Sequence, residues 1–501
     1  MGLVEIITDV LIIGEGAAGL RAAIEARRAG VDVIVISKMP KKSPSCTSLA
    51  KGWITYLDDK TANDVFKSII EEGCYLNNQK LVEIFTAEGQ IEVSKLTALG
   101  VRLEVQNNPW MRSYINFNRS AKLFLCVPAS RVYSFVAGKS RGEALIKPLR
   151  ALAIALGIKV LNDFLAIRLM TSNGSVSGII AVNLLDGNLV ILKARAVILA
   201  TGGGAQIYGR TDSPSGTTGD GYALAYKAGA QLVDMEFMEF MIPHSCLNEV
   251  FQSNLSKETE KIIMSKSICH YFLGGIKIDD NMRSSVRGLY AAGEVTGGLF
   301  GASRLEGSAL ADALVFGTRS GLEAARWARE VQTEIFEPDP DQIEETNGFL
   351  KELLDRRNTI ATTVRQKLGL IMWSLCGAFK NSESLSRASE ELMTMEYEVA
   401  KIRSNRVSLR EAFETMWMFE IAKIIVKAAS IRKESRGAYW RTDYKEPCND
   451  KWLANLTVTS NNGKPRIEKT PVTITKMAIP LAYIPRIGNH CSGYFSKNIG
   501  N

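Results

Sequence analysis

The chain has 501 residues, 46% hydrophobic and 23% charged, a composition that supplies two or three packed cores and excludes a disordered chain. Its formal charge of +8 is spread without a dense basic block or an aromatic-basic stripe, which argues against nucleic acid as a partner and suits an anionic cofactor or substrate. No stretch reaches the ~18 uncharged apolar residues of a bilayer-crossing helix, so no direct membrane span is expected.

The sequence MGLVEIITDVLIIGEG opens as neither signal peptide nor myristoylation signal and runs into a predicted strand, Asp9 to Ile13. Glycines lead from it into a helix, Ala17 to Ala29, and then a second strand, Val31 to Ser37. Helices follow at Asp64 to Glu72 and at Gln79 to Leu99, the latter stopped by Gly100. From Ile158 the pattern turns to β: Ile158 to Leu169, Val176 to Asn183 and Leu189 to Leu199, with hairpin signals at Asn173-Gly174 and Asp186-Gly187. This alternation predicts a doubly wound α/β domain. After about residue 340 the period becomes helical, with Leu385, Ala388, Leu392, Met395, Val399 and Ile402 on one seam and Ser408-Leu-Arg-Glu411 reading as a capping box. Residues 340–430 are therefore expected to be an antiparallel helical bundle, with Met372, Trp373, Met416 and Trp417 in its core.

The eight cysteines (46, 74, 126, 246, 269, 376, 448 and 491) are scattered, with no C-x-x-C pair, so neither a metal site nor an iron-sulfur cluster is expected in this chain. A reducing, cytoplasmic setting fits, with any membrane association made through a partner subunit.

The sharpest local signal is Gly14-Glu-Gly16-Ala-Ala-Gly19 between the first strand and its helix. Gly14 permits the tight turn, Gly16 puts no Cβ before a pyrophosphate, and Gly19 lets helix and strand approach; phosphates then sit at the helix N-terminus. The second strand ends in Ser37-Lys38 instead of an acidic residue for the ribose hydroxyls, and no second complete G-x-G-x-x-G occurs, both of which disfavour NAD. Ala196-Val-Ile-Leu-Ala200-Thr201-Gly-Gly-Gly204 and Arg287-Gly288-Leu-Tyr-Ala-Ala-Gly293-Glu294 supply two further close-approach segments.

Together with Thr217-Thr-Gly-Asp-Gly-Tyr-Ala-Leu-Ala-Tyr-Lys-Ala-Gly229, Asp234-Met-Glu-Phe237, His270-Tyr-Phe-Leu-Gly-Gly-Ile276, Gly288 to Gly317 and Glu434-Ser-Arg-Gly-Ala438, these segments give a chain that resembles the flavoprotein subunit of succinate dehydrogenase and fumarate reductase, a family that includes L-aspartate oxidase. The resemblance implies FAD. It implies cofactor contacts from Gly14, Gly16, Ala17, Ala18, Gly19, Ser37, Lys38, Cys46, Thr47, Gly52, Ala200, Thr201, Gly202, Asp220, Glu294, Arg304, Ala309 and Leu310. It also implies that His270 and Arg304 bind a dicarboxylate substrate, a task suited to an imidazole donor and a two-pronged guanidinium. An iron-sulfur subunit is the implied electron partner.

Three departures from the family pattern stand out. In S-H-T-x-A-x-x-G, whose histidine carries covalent flavin, this chain has Cys46, so noncovalent FAD is expected, with a sulfur link as the alternative. The F-H-P-T that follows M-E-x-x-Q reads Phe240-Met241-Ile242-Pro243. Only 29 residues, 241 to 269, occupy the place of a capping domain; they lack its R-D-x-x-x-R motif and offer only Lys257, Lys261 and Lys266 as cations.

The expected architecture is an FAD-binding domain from residues 1–240 and 270–335, a vestigial capping insert at 241–269, a helical bundle at 340–430 and a C-terminal segment, 431–501, with little regular structure. The expected function is FAD-dependent hydride transfer with a small mono- or dicarboxylate, the electrons being passed to a partner. The alternatives are an L-aspartate oxidase-like enzyme and a noncatalytic or electron-relay flavin subunit.

Overall fold

A computed structural model describes residues 4–50, 53–55, 62–101, 103–106, 113–118, 121–125, 132–135, 142–241, 264–305, 307–331, 337–354 and 361–479. The strand Val4–Ile13 begins earlier than its sequence pattern suggests and pairs in parallel with Val33–Ser37 on one side and Leu189–Leu199 on the other. Lys159–Asn162 extends the parallel half beyond Val33–Ser37, and Leu289–Ala291 pairs in parallel with Leu189–Leu199. Ser175–Asn183 and Phe164–Ser172 continue the sheet as antiparallel strands.

One predicted strand, Ile158 to Leu169, is therefore two. Asp163 adopts φ +61° and breaks it, so that Lys159–Asn162 joins the parallel edge while Phe164–Ser172 joins the hairpin at the far side of the sheet.

The register decides where a ligand can sit. Ile13 lies opposite Ile36 and Leu199, and Leu199 lies opposite Ala291. The carboxyl ends of these strands are thus level, and the segments that follow them, starting at Gly14, Ser37, Ala200 and Ala292, emerge on one edge, the usual ligand edge of an open α/β sheet.

Helix Ala17–Arg28 packs against helix Ser308–Glu330 at backbone-touching distance: a Cβ at Gly321 would stand 2.2 Å from the Ala22 carbonyl oxygen. The buried Arg21 bonds Glu25 at 2.9 Å, Glu92 at 2.7 Å and Thr318 at 2.7 Å, so one guanidinium ties three helices together.

The helical region comprises Pro340–Leu354, Ala361–Cys376, Ser382–Ala400 and Leu409–Ile431. Leu385, Ala388, Leu392 and Met395 are buried as the seam predicts. The capping box is not where the sequence pattern put it. Ser408 sits at φ −98°, ψ 5°, outside the extended cap conformation, and its hydroxyl is engaged with Ser404 and Asn405. The reciprocal box belongs to Asn381 and Ser384 on the preceding helix.

The C-terminal segment is more regular than expected. Ala454–Asn461 and Lys464–Pro471 form a hairpin that pairs through Leu232–Val233 with Gly275–Lys277 and Thr296–Gly297. It is anchored by fully buried charges: Arg432 bonds Glu236 at 2.7 Å and Glu434 at 2.8 Å, and Glu434 also holds Arg436 at 2.8 Å. The vestigial cap falls mostly on residues 242–263, outside the described residues; its flanks, Met238–Met241 and Ile268–Phe272, form an antiparallel pair with Glu239 opposite Tyr271. Among the described residues no helix is long and apolar enough to cross a membrane, and no cluster of metal-ligating side chains occurs.

Candidate active site

A cleft with a cavity volume of about 390 Å³ opens along the level strand ends. It is lined by Gly14, Gly16, Ala17, Ala18, Ser37, Lys38, Cys46, Thr47, Ala200, Thr201, Gly202, Asp220, His270, Glu294, Arg304, Ala309 and Leu310. Two expected residues are not among them. Gly19 lies behind the loop, where a Cβ would meet the Gly14 carbonyl oxygen at 1.9 Å, so it serves helix-strand contact and not the ligand surface. Gly52 lies outside the described residues.

At one end of the cleft the backbone dominates. Gly14 has φ +118°, and a Cβ there would stand 2.2 Å from the Ala200 carbonyl oxygen, so only glycine can make the turn. Gly16 begins the helix with no side-chain cap, and a Cβ there would meet only Thr47 Oγ1, at 3.6 Å. Helices beginning at Ala17, Asp220 and Ser308 all present their first turns to the cleft, and such turns carry outward N–H groups and partial positive charge. The Ala17 N–H donates to Thr47 Oγ1 at 3.3 Å, which fixes the short helix Cys46–Leu49 across the entrance to the loop. Thr201 Oγ1 is buried with no hydrogen-bond partner among the described residues, and Gly221 faces it at a distance that leaves no room for a Cβ.

The cations lining the cleft are already engaged. Lys38 bonds Asp220 at 2.9 Å and, from the helical region, Glu414 at 2.8 Å. Burial works against its charge, but the two carboxylates outweigh that and hold its ammonium above the ordinary lysine value. Arg150 holds Glu15 at 2.6 Å, and Asn162 bonds the other oxygen of the same carboxylate.

The other end is built from side-chain pairs. Arg304 Nη2 donates to Glu239 Oε2 at 2.8 Å and the Arg304 N–H to Glu239 Oε1 at 3.2 Å, while the guanidinium lies 4.4 Å from the centre of the Tyr271 ring. His270 Nδ1 stands 2.9 Å from Asp212 Oδ2. Burial disfavours a charged His270, but the hydrogen bond and charge of Asp212 outweigh it and raise the imidazole above its usual value. Glu294 accepts from the Phe272 N–H at 3.1 Å, and burial pushes it up to about 7. Asp312, on the helix behind, is pushed up to about 8 by burial and by Glu294. Both carboxyls therefore exchange protons near neutrality.

Burial, then the charge of Glu294, push the Cys46 thiol up to about 12, and its sulfur lies 3.3 Å from Thr217 Oγ1. It is a protonated packing thiol at neutral pH, a poor nucleophile.

Sequence reasoning missed Glu15, Arg150, Asp212, Glu239 and Tyr271. For Glu239 a signal existed: it stands at the last position of the M-E-x-x-Q pattern, a carboxylate in place of an amide. For Asp212, 58 residues before His270, no local pattern announces the pairing.

Residues 9–259 and 257–310 match the FAD binding domain family, and residues 365–485 match the family described as fumarate reductase flavoprotein C-term. An uncharacterised FAD-dependent oxidoreductase of Methanocaldococcus jannaschii is 28% identical, over 90% of this chain and 96% of its own. A fumarate reductase (CoM/CoB) subunit of Methanothermobacter marburgensis is 26% identical, over 87% and 94%. The structure of Sdh1 from Mycobacterium smegmatis has the same fold, with a TM-score of 0.81 at 23% identity, covering 95% of this chain and 96% of that one. The glycine turn, the three helix N-termini and the close-approach strand ends fit a dinucleotide pyrophosphate. The chain belongs to the succinate dehydrogenase and fumarate reductase flavoprotein family and is an FAD-dependent oxidoreductase.

Proposed function

We propose that the cleft transfers a hydride between FAD and a carbon of a small carboxylate held at the His270–Arg304 end, with the electrons passed on to an iron-sulfur partner subunit. The observation that carries this reading is the convergence of His270 and Arg304 on the cleft that the glycine loop opens. FAD, when bound, supplies the two-electron chemistry. The protein's share is orientation: Glu239 and Tyr271 fix the Arg304 guanidinium, and Asp212 fixes the His270 ring. Glu294 lines the same cleft as a carboxyl able to hold or release a proton near pH 7. A high-pKa Cys46 thiol favours noncovalent FAD, which acid precipitation should release into the supernatant. Support for a partner comes from relatives named as subunits, including 8-methylmenaquinol:fumarate reductase flavoprotein subunit of Wolinella succinogenes.

The test assays purified protein, with and without co-purifying chains, against saturated and α,β-unsaturated mono- and dicarboxylates, using an artificial electron acceptor or a reduced viologen dye. Turnover with at least one carboxylate should fall ~100-fold or more in Arg304→Ala, because a misplaced substrate loses its reactive geometry. Intact FAD with no turnover in any combination would replace this reading with an electron-relay subunit.

A further inference from the structure

We propose that Glu239 and Asp212 set the charge that the substrate end accepts, so that its substrate carries at most one carboxylate. This rests on the hydride-transfer reading above and names the substrate class of that same site.

Among the described residues, the two cations facing the substrate end, Arg304 and His270, are each matched by a carboxylate. The Arg304–Glu239 pair is 7% and 2% exposed, with contacts of 2.8 and 3.2 Å, so solvent does little to screen it. Asp212 holds His270 at 2.9 Å. Glu294, in the same end, adds a negative charge whenever it is ionised. With Arg304, Glu239 and Asp212 charged, His270 protonated and Glu294 neutral, the formal charge of these five groups is zero; deprotonating His270 or Glu294 makes it negative. A single carboxylate brought here still meets the Arg304 guanidinium. A second meets the buried Glu239, the partly buried Glu294 and the more exposed Asp212, and a like charge brought against a buried carboxylate is strongly disfavoured. An ammonium in its place would be favoured, so a zwitterion fits as well as a monocarboxylate. Each carboxylate is held by structure: Glu239 lies on the strand Met238–Met241 opposite Tyr271, and both its oxygens accept from Arg304.

The experiment titrates FAD-loaded, full-length protein with propionate, β-alanine and succinate, following the perturbation of the flavin absorption spectrum. In the wild type, succinate should bind no more tightly than propionate. Glu239→Gln keeps the shape and one of the two acceptor oxygens while removing one negative charge, so succinate affinity should rise ~10-fold or more and that of propionate by less than ~3-fold. Unchanged FAD content and circular dichroism show that the variant is folded; should it not fold, the wild-type comparison decides alone. Wild-type succinate binding ~10-fold tighter than propionate, or an equal response of both ligands to Glu239→Gln, would overturn the assignment. Arg304→Ala separates the two readings. If succinate binds the wild type tightly and loses affinity in Arg304→Ala, the hydride-transfer site stands and the charge assignment falls. If no ligand perturbs the flavin in any of the three proteins, both fall.

Discussion

The two ends of the cleft are built by different means. At the nucleotide end, three helix N-termini and a left-handed glycine turn present peptide groups, while Lys38 and Arg150 are occupied by Asp220, Glu414 and Glu15. At the other end stand two side-chain pairs whose members lie 65 and 58 residues apart. An anion held by peptide dipoles asks for small residues at fixed spacing; a substrate held by paired charges asks for partners brought together by the whole fold. The first end should therefore be sensitive to a single Cβ, and the second to a single charge.

The largest effect is expected from Gly14→Val. A β-branched residue is strained at φ +118°, and its Cβ would overlap the Ala200 carbonyl oxygen at 2.2 Å, so the loop and the adjoining strand must separate. Purified variant should contain no flavin and lose more than ~4 kcal/mol of stability, the range of exceptional substitutions. Full FAD content in Gly14→Val would show that the nucleotide end does not depend on this turn.

The same contrast explains what was legible in the sequence. Gly14, Gly16 and Gly19 were readable because each answers a local requirement of a strand, a turn and a helix, and the helical seam from Leu385 to Met395 because period alone buries it. The motif itself read Gly19 as the helix–strand contact, and its approach to Gly14 agrees; only the family resemblance made it a cofactor contact. The break at Asp163 fell inside a run read as one strand, although Asn162-Asp163 interrupts its apolar residues there and Asp163 takes the positive φ that divides it. The C-terminal hairpin was missed because its strands complete a sheet begun at Leu232–Val233, more than two hundred residues earlier. Ser408 and Glu411 have the spacing of a capping box, but Asn405 offers the serine a nearer partner.

A mid-sized effect tests whether the Arg304–Glu239 pair is stabilising in itself. Arg304→Ala leaves a carboxylate that is 2% exposed without its cation, which should cost ~3–5 kcal/mol. The double variant Arg304→Met, Glu239→Leu removes both charges and fills the space with apolar atoms, so it should return to within ~1 kcal/mol of wild type while binding no carboxylate. Denaturation of the flavin-loaded proteins would compare the three. Equal losses in the single and double variants would mean that packing of the arginine, and not its charge, supports this end of the cleft.

The smallest effect concerns His270 and Asp212, and pH gives it a direction. The native imidazole lies above its ordinary value of 6.5, so the native state binds this proton more tightly than the unfolded chain does. Its contribution is fully present below pH 6.5 and is lost as pH rises through the native value. Because the His270 side chain is 33% exposed, solvent screening limits the contribution to ~1 kcal/mol or less. Glu294 and Asp312 also favour the protonated native state, so they lower stability as pH rises from their ordinary values to about 7 and about 8. Those contributions are largely shared by wild type and Asp212→Asn, apart from the pull of the His270 charge on Glu294, which belongs to the pair's own effect. The difference between the two stability curves therefore isolates the pair: wild type should exceed the variant at pH 6, and the gap should close above the native His270 value. A gap that stays constant across this interval would show that Asp212 holds the ring by hydrogen bonding alone, without stabilising its charge, and would take the imidazolium out of the charge balance at the substrate end.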